Sequence, residues 1–263
     1  MHACLAYYVK DPAGSGIARA LLEEHDHATA SIPSAVEAYS IPHLNALLAG
    51  FDTDVLYLEF LDEVCGAEFF LILSRHSSEA GIKSLTVHHP GNPMQEAIAG
   101  GKPLELPPSN PILAKRLLLA LAGLAVELPG FSVTYEVTHH GPTSLRKPVT
   151  FVEIGSSYTE WSMKRAHSVV AAAVALADKE IGNYLVTVGV GGNHYASVFT
   201  RRALESAEAY GHIIANYALK SLETPELVNR VVREACLRSN TPTKKLVVEK
   251  KLKRSWRAAV ESV

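Results

Sequence analysis

Residues 3–24 read ACLAYYVKDPAGSGIARALLEE, and this stretch decides the fold class. The apolar run Ala3 to Val9 predicts a strand, Lys10 to Gly16 predicts a glycine-containing loop, and Ile17 to Glu24 predicts a helix. Strand, loop and helix in this order open many α/β folds. The loop has neither a complete GxGxxG pattern nor a Walker lysine, so it indicates a phosphate site only weakly.

The same alternation continues along the chain. Further strands are predicted at Asp54 to Phe60, Glu68 to Ser74, Phe131 to Thr138, Val149 to Ile154 and Tyr184 to Val190. Helices are predicted to begin at Ser109-Asn110-Pro111 and to cover Met163 to Asp178, Arg201 to Leu219 and Pro225 to Arg238. Because no change in composition and no repeat interrupts the pattern, the sequence predicts one domain over residues 1–263. We expect a three-layer α/β/α sandwich with a mixed sheet.

Bulk composition is that of a globular protein, with 48% apolar and 20% charged residues in 263. The cysteines Cys4, Cys65 and Cys236 have no paired spacing, which argues against a disulfide scaffold and favours a reducing compartment. The N-terminus lacks the pattern of a signal peptide, and the longest apolar stretch, Ile112 to Val126, is too short to span a bilayer. We therefore expect a cytoplasmic protein that does not enter membranes.

Charge is unevenly placed along the chain, although the net charge is only −2. Residues 244–257 hold seven lysines and arginines against one glutamate, so the C-terminal segment is basic and the rest of the chain is acidic. A basic segment of this kind favours contact with an anion such as nucleic-acid phosphate. A solvated terminal face would give the same pattern, and charge alone leaves both interpretations open.

Seven of the twelve histidines fall where a predicted element ends, among Gly, Pro, Ser and Asn. They are His76, His88, His89, His139, His140, His194 and His212. Ligands of α/β proteins bind beyond the carboxyl ends of the strands. Histidine suits both proton transfer near neutral pH and metal binding. We therefore expect several of these loops to meet at one pocket.

Two of these loops contain adjacent histidines followed by a turn, HHGP at 139–142 and HHPG at 88–91. In an extended strand His139 and His140 would point to opposite faces, and only His140 would share a face with Glu136. Both histidines can serve one site only if the backbone turns there. The alternative is one functional histidine and one that only hydrogen-bonds the turn.

Other candidate groups have weaker patterns. Gly191 and Gly192 follow an apolar strand, and their N–H groups could bind an oxyanion or simply form a turn with Asn193. Glu136 and Glu153 are candidate bases or metal ligands. No HExxH helix is present, so spacing alone indicates a metal only weakly, and the lack of a GxSxG elbow disfavours a serine hydrolase.

Five segments carry these residues in a fixed order: SRHSS at 74–78, TVHHPGN at 86–92, EVTHHGPT at 136–143, FVEIGS at 151–156 and GGNHYA at 191–196. As an ordered set they resemble the archaeal and plant D-aminoacyl-tRNA deacylases. The resemblance implies a phosphorylase/hydrolase-like α/β/α fold similar to peptidyl-tRNA hydrolase. It also implies zinc and hydrolysis of the ester between a D-amino acid and tRNA, a proofreading reaction. Aldehyde-modified D-aminoacyl-tRNA is a further substrate class that it leaves open.

Under this hypothesis the residues take three kinds of role. The predicted catalytic residues are His139, His140, His194, Glu153 and Glu136, and the predicted zinc ligands are His88, His139, His140 and His194. The predicted substrate-binding residues are His76, His88, His89, Gly191, Gly192, Asn193, Thr143, Lys250, Lys251, Lys253 and Arg254, the last four through tRNA phosphates.

Three alternatives stay open: a zinc peptidase, a nucleoside phosphorylase, or a non-catalytic tRNA-binding protein. A coiled-coil seam is absent from the sequence, so we expect a monomer without an obligate protein partner.

Overall fold

A computed structural model describes residues 3–79, 81–177, 182–250, 252 and 254–263. Its strands are β1 (Ala3–Tyr8), β2 (Ala28–Thr29), β3 (Ala35–Ile41), β4 (Ala46–Phe51), β5 (Phe69–Ser77), β6 (Ser84–His88), β7 (Ser132–Tyr135), β8 (Val149–Ser156), β9 (Leu185–Val190), β10 (Glu208–Ile214) and β11 (Lys245–Val248). Its helices are α1 (Pro12–Glu24), α2 (Leu61–Val64), α3 (Pro111–Leu124), α4 (Tyr158–Trp161), α5 (Lys164–Ala177), α6 (Ser197–Glu205), α7 (Asn216–Ser221), α8 (Pro225–Leu237) and α9 (Arg254–Glu261).

Eight strands form a mixed sheet in the order β2-β3-β4-β1-β5-β8-β6-β7. The central pairs β1–β4, β1–β5 and β5–β8 are parallel, whereas β6 runs antiparallel to β8. A second, smaller sheet of parallel strands has the order β10-β9-β11. The α/β fold with a mixed sheet is therefore confirmed, and the second sheet is an addition that the sequence pattern did not predict.

Both faces of the large sheet are buried. Along β1, Leu5 and Tyr7 belong to the apolar cluster that includes residues of α1, α3 and α5, while Cys4 and Ala6 belong to a second cluster on the other face. This two-sided burial explains why the central strands read as continuous apolar runs. Among the described residues, no helix is long and apolar enough to cross a membrane.

Helix α1 begins earlier than predicted, so the expected loop at Lys10 to Gly16 is wrong beyond its first residues. Asp11 caps the helix by accepting from the Ala13 N–H at 2.9 Å, and Pro12 occupies the first turn. This cap and the proline favour helix strongly enough to include Gly14. A Cβ at Gly14 would lie 2.5 Å from the Leu73 carbonyl oxygen, so the glycine lets α1 pack closely against β5.

Two other predicted elements are wrong. The expected strand at Asp54 to Phe60 is a turn of 3₁₀ helix at Val55–Tyr57, because the Asp54 side chain accepts from the Leu56 N–H at 3.1 Å and caps it. The expected helix at Arg201 to Leu219 is three elements, α6, β10 and α7. Every residue of β10 is buried, and a short run of buried residues fits a strand as well as a helix.

The two sheets meet at residues 136–138, which follow β7. The Val137 N–H donates to the His194 carbonyl at 3.0 Å, and the Thr138 N–H donates to the Ile213 carbonyl at 2.8 Å. Glu136 also forms an isolated bridge with Tyr195. The segment is thus fixed between β7 on one side and the loops of the small sheet on the other, and histidine-bearing segments of both sheets converge here.

Candidate active site

The base of the site is one face of the large sheet. Ser74 and His76 lie two residues apart on β5, and Thr86 and His88 lie two residues apart on β6, so each pair shares a face. Strand β8 runs between them, and Glu153 is in register with both Ser74 and Thr86. The hydroxyl of Ser74 donates to Glu153 Oε1 at 2.7 Å. Period-two spacing in three strands therefore places polar groups in an otherwise apolar sheet.

Glu136 lies at the centre of the histidines and is 1% exposed. Its Oε1 lies 3.0 Å from His76 Nδ1, and its Oε2 lies 3.2 Å from His194 Nε2 and 3.5 Å from His139 Nε2. Burial alone would raise the pKa of Glu136, but the contact with His194 and the electrostatic interactions with the neighbouring histidine rings outweigh burial and lower the pKa to about 2. The carboxylate is thus held as an anion.

His76 supplies the matching positive charge. Burial would lower its pKa, but contact with Glu153 and the negative charges of Glu136 and Glu153 outweigh burial and raise the pKa to about 9. As an imidazolium it forms an ion pair with Glu136, 3.0 Å from its Nδ1, and its Nε2 donates to the Tyr195 hydroxyl at 3.0 Å. His76 is therefore fixed in orientation by partners on both ring nitrogens.

His139 and His140 both reach this site, which answers the question that the double-histidine pattern leaves open. His140 adopts a left-handed backbone conformation with φ of 49°, so the chain turns at this residue and the strict strand alternation is lost. The ring centroids of His139 and His140 are 4.3 Å apart, and they lie 4.5 and 4.9 Å from that of His88.

The tautomers of His139 and His140 follow from backbone contacts. His139 Nδ1 lies 2.8 Å from the Val137 carbonyl and His140 Nδ1 lies 2.7 Å from the Gly141 carbonyl, so each Nδ1–H donates and each Nε2 keeps a lone pair. Burial lowers the pKa of His139 to about 3 and also lowers the pKa of His140. Both rings are neutral, the form that a metal ligand or a general base requires.

These groups fit a metal ion. The ligand atoms of His88, His139 and His140 all lie within 4.8 Å of one another, and two further groups combine Glu136 with His76 and His194, or with His88 and Glu153. His88 Nε2 lies 3.2 Å from His140 Nε2, close to the roughly 3.3 Å that two nitrogens span on a tetrahedral ion. Both oxygens of Glu136 and Nδ1 of His88 are buried without a hydrogen-bond partner. Unpaired buried acceptors facing one another are what a cation would satisfy.

Comparison with known proteins assigns the family. The family model described as D-aminoacyl-tRNA deacylase matches residues 64–263. The chain belongs to the D-aminoacyl-tRNA deacylase family. A D-aminoacyl-tRNA deacylase of Staphylothermus marinus is 39% identical over 98% of this chain and 94% of its own length, and one of Aeropyrum pernix is 40% identical over 99% and 95%.

One solved structure, described as a conserved protein of unknown function, is 31% identical and covers 99% of this chain and 90% of its own length, with a TM-score of 0.89.

In this D-aminoacyl-tRNA deacylase family member, five predicted site residues line an open cavity of about 340 Å³. They are His76, His139, His140, His194 and Glu153. Glu136 and His88 lie behind them, buried and in contact with them. The structure thus brings together residues from all five segments that carried the resemblance, although His89 of the second segment lies elsewhere.

The cavity also contains residues that the sequence pattern did not reveal, among them Asp11 and Arg75. Asp11 accepts from the Arg75 N–H at 2.8 Å, and burial raises its pKa to about 6 against the lowering effect of these N–H groups. The Arg75 guanidinium stacks on Trp161 at 5.6 Å. The sequence could have predicted both residues, because Asp11 and Arg75 lie at or just after the carboxyl ends of central strands, where ligands bind in α/β proteins.

The structure places His89 and His212 away from the site, contrary to the prediction from the sequence. His89 was expected to bind substrate, but it is 2% exposed and its Nδ1 contacts the Val149 carbonyl at 3.0 Å. His212 lies inside β10, fully buried, where an element end was expected. Their rings are 5.9 Å apart. His89 points away from His88 because adjacent residues at a strand end face opposite sides.

The N–H groups of Gly191 and Gly192, which the sequence suggested as oxyanion donors, are directed to other partners. The Gly191 N–H donates to the Ile214 carbonyl at 2.8 Å, and the Gly192 N–H donates to Glu249 Oε2 at 2.9 Å. Both groups are therefore already bonded within the protein, and we expect any oxyanion donor to be another group.

Thr143, predicted to bind substrate, is 1% exposed and donates to Glu105 Oε2 at 2.7 Å. It stabilises the turn after His140 and does not line the cavity.

The basic C-terminal segment follows β11, which lies in register with β9, so Lys250 is near the Gly191-Gly192 turn. Lys250, Arg254 and Asn193 are exposed. Lys251 and Lys253 lie outside the described residues.

Proposed function

We propose that this protein hydrolyses the ester bond of D-aminoacyl-tRNA and releases the D-amino acid and tRNA. The observation that carries the proposal is the convergence of five histidines and two carboxylates on one open cavity, in a chain that belongs to the D-aminoacyl-tRNA deacylase family. An aminoacyl ester is already activated, so a positioned water and a base are sufficient chemistry. The D- and L-esters would be distinguished by the shape of the cavity.

In the proposed reaction, water adds to the ester carbonyl carbon and the ribose oxygen leaves with a proton. The neutral His139 and His140 present Nε2 lone pairs and are the candidate proton acceptors. Glu136 contacts His194 Nε2 through its Oε2 and His76 Nδ1 through its Oε1, and so orients these two rings. Glu153 faces the cavity, where Ser74 holds its Oε1 by a hydrogen bond, and it is the second candidate acceptor.

We further propose that the metal ion these residues fit is zinc, with His88, His139 and His140 as ligands and Glu136, His194 or Glu153 completing the set. A nitrogen that holds zinc does not accept a proton, so in the zinc-bound protein the proton acceptor would be whichever of Glu136 and Glu153 is not a ligand. When bound, zinc lowers the pKa of a coordinated water and polarises an ester carbonyl. The protein's own contribution is orientation, since the Val137 and Gly141 carbonyls fix the rings of His139 and His140.

The tRNA body would be held by charge. Lys250 and Arg254 are exposed on the segment after β11, near the Gly191-Gly192 turn, and Arg75 lies in the cavity itself. Contacts of lysine and arginine with phosphate are independent of sequence and weaken with salt. Because aminoacyl-tRNA is the substrate, we expect a cytoplasmic protein, and we expect it to act as a monomer.

The test is hydrolysis of matched D- and L-tyrosyl-tRNA by the purified protein, with and without a chelator. Loss of the D-ester with the L-ester spared supports the proposal, and inhibition by the chelator that added zinc reverses supports the metal assignment. No hydrolysis of either ester by the zinc-supplemented protein contradicts the proposed function. Phosphate-dependent cleavage of nucleosides or cleavage of peptides would instead favour a phosphorylase or a peptidase.

A further inference from the structure

The exposed aromatic side chains of the described residues are three tyrosines. Tyr158 is 69% exposed, Tyr57 is 56% exposed and Tyr217 is 41% exposed, whereas every phenylalanine and tryptophan is buried or half-buried. Among the described residues, the phenol hydroxyls of these three tyrosines have no hydrogen-bond partner. Hydrogen bonding of the phenol therefore does not account for tyrosine at these positions.

All three tyrosines belong to elements that adjoin the histidine cavity or the loops that carry its residues. Tyr57 directly follows Leu56, which lines the cavity. Tyr158 begins α4 just after β8 ends, and Trp161 of the same helix donates its Nε1–H to the His76 carbonyl at 2.9 Å. Tyr217 lies on a third element, α7, which packs against the loop that follows β9.

Tyr217 is the second residue of α7, and the N–H of the preceding Asn216 donates to the Gly192 carbonyl at 3.0 Å. Gly192 is two residues from His194, so α7 is packed against the loop that carries a site histidine. Burial and then the charge of Glu136 raise the pKa of Tyr217, which agrees with a position near the site. Tyr57, Tyr158 and Tyr217 thus lie on three different elements that adjoin the site.

We propose that Tyr57, Tyr158 and Tyr217 form a stacking surface for the unpaired bases at the 3′ end of the tRNA substrate. The proposal rests on the proposed function, because only an aminoacyl-tRNA brings unpaired bases to this cavity. Proteins bind single-stranded nucleic acid by placing bases on aromatic rings, which accept any base, and by contacting the phosphates with cations. A deacylase that acts on many tRNAs needs the common 3′ end, which stacking recognises.

The surroundings favour bases over an apolar protein partner. Arg75, in the cavity, and the exposed Lys250, after β11, supply cations for the backbone between the stacked bases. The tyrosines are on three separate elements, and each has a polar hydroxyl, whereas the centre of a protein interface is mainly apolar. Val126 is an exposed aliphatic side chain away from the cavity, 84% exposed in the turn that precedes β7.

The experiment compares Tyr→Ala and Tyr→Phe at positions 57, 158 and 217 with the control Val126→Ala. The readouts are KM and kcat for D-tyrosyl-tRNA, together with hydrolysis of D-tyrosine methyl ester, which has no bases. We expect each alanine variant to raise KM for the tRNA ester by between about fivefold and about a hundredfold, the worth of one stacked base. Phenylalanine should restore wild-type KM, and the methyl ester should be hydrolysed at the wild-type rate throughout.

Two results would overturn the stacking surface. One is an unchanged KM for D-tyrosyl-tRNA in all three alanine variants; the other is an equal loss on the tRNA ester and the methyl ester, which would indicate a structural role. Binding of a short RNA hairpin with an unpaired 3′ end separates this proposal from the function. A protein that hydrolyses neither ester but binds the hairpin through the tyrosines would contradict deacylation and retain the surface.

Discussion

Two groups of histidines in this protein have the same sequence context, but one group surrounds the site and the other is buried in the core. The site group is His76, His88, His139, His140 and His194, which surround Glu136; the core pair is His89 and His212. His88 and His89 are adjacent in the chain, yet the first contacts His140 and the second contacts the Val149 carbonyl. A histidine at a strand end is therefore not functional by position alone, because the face to which it points decides its partners.

The hydrogen bonds of the two groups differ in the same way. In the core pair, His212 Nε2 contacts the Pro107 carbonyl at 2.9 Å and its Nδ1 contacts the Thr138 hydroxyl at 3.0 Å, so both ring nitrogens are satisfied. In the site group, His139 and His140 each donate only their Nδ1–H to a backbone carbonyl. The remaining lone pairs are turned towards Glu136 and His88 and are what the site offers to a proton or a metal ion.

The largest effect is expected from removing both members of the second histidine pair. The double variant His139→Ala with His140→Asn should lower kcat/KM for D-tyrosyl-tRNA by roughly a thousandfold or more, because it removes both neutral Nε2 groups. Asparagine is chosen at position 140 because it tolerates the left-handed backbone. Each single variant should lose almost as much, since groups that act as a unit are not additive. Wild-type activity in the double variant would remove these residues from the mechanism.

A smaller loss is expected for Glu136→Gln. The amide keeps the shape but not the charge that orients His76 and His194, so activity should fall by between about tenfold and about a hundredfold. Where zinc is bound, its affinity should fall over the same range. Glu208→Gln is the matched control, since Glu208 is also buried but pairs with Arg202 in the small sheet. A larger loss of activity in the control than in Glu136→Gln would contradict this role.

The core pair should act on stability and not on chemistry. Burial, and then the charge of His89, lowers the pKa of His212 to about 3, so the unfolded chain binds a proton below about pH 6.5 that the folded protein does not. The folded protein is therefore not destabilised by His212 above pH 6.5, and the free energy of unfolding decreases as the pH falls from 6.5 towards 3. Urea unfolding should give a free energy of unfolding that is lower at pH 5 than at pH 7, with roughly 2 kcal/mol of the difference due to His212.

His212→Phe removes that part of the decrease, although the variant is less stable at both pH values. Val228→Ala, at a buried position that does not titrate, should lower stability equally at pH 7 and pH 5. An unchanged pH dependence in His212→Phe would show that another group carries it.

Much of the fold was predictable, because apolar runs and helix caps act locally. The start of α3 is an example, where Asn110 accepts from the Leu113 N–H and Pro111 begins the helix. The error at Asp54 arose because a local cap competed with an apolar run, and the error at β10 arose because periodicity does not separate a buried strand from a buried helix.

The site was predictable as a set of segments but not residue by residue. Motif order identified the five segments, and period-two spacing placed Glu153 with Ser74. Two features depend on tertiary structure: the left-handed turn at His140 that brings both histidines inward, and the carbonyl and carboxylate that take up the N–H groups of Gly191 and Gly192. No sequence pattern reports where a backbone donor is already bonded.

The most direct test of the account compares His88→Asn with His89→Asn in hydrolysis of D-tyrosyl-tRNA. Both residues are 2% exposed, so both variants lose packing, and rates are expressed per folded protein from thermal unfolding. We predict a loss of at least about a hundredfold for His88→Asn and less than about tenfold for His89→Asn. Equal losses, or a greater loss at position 89, would contradict the assignment of these neighbouring histidines to a site and to the core.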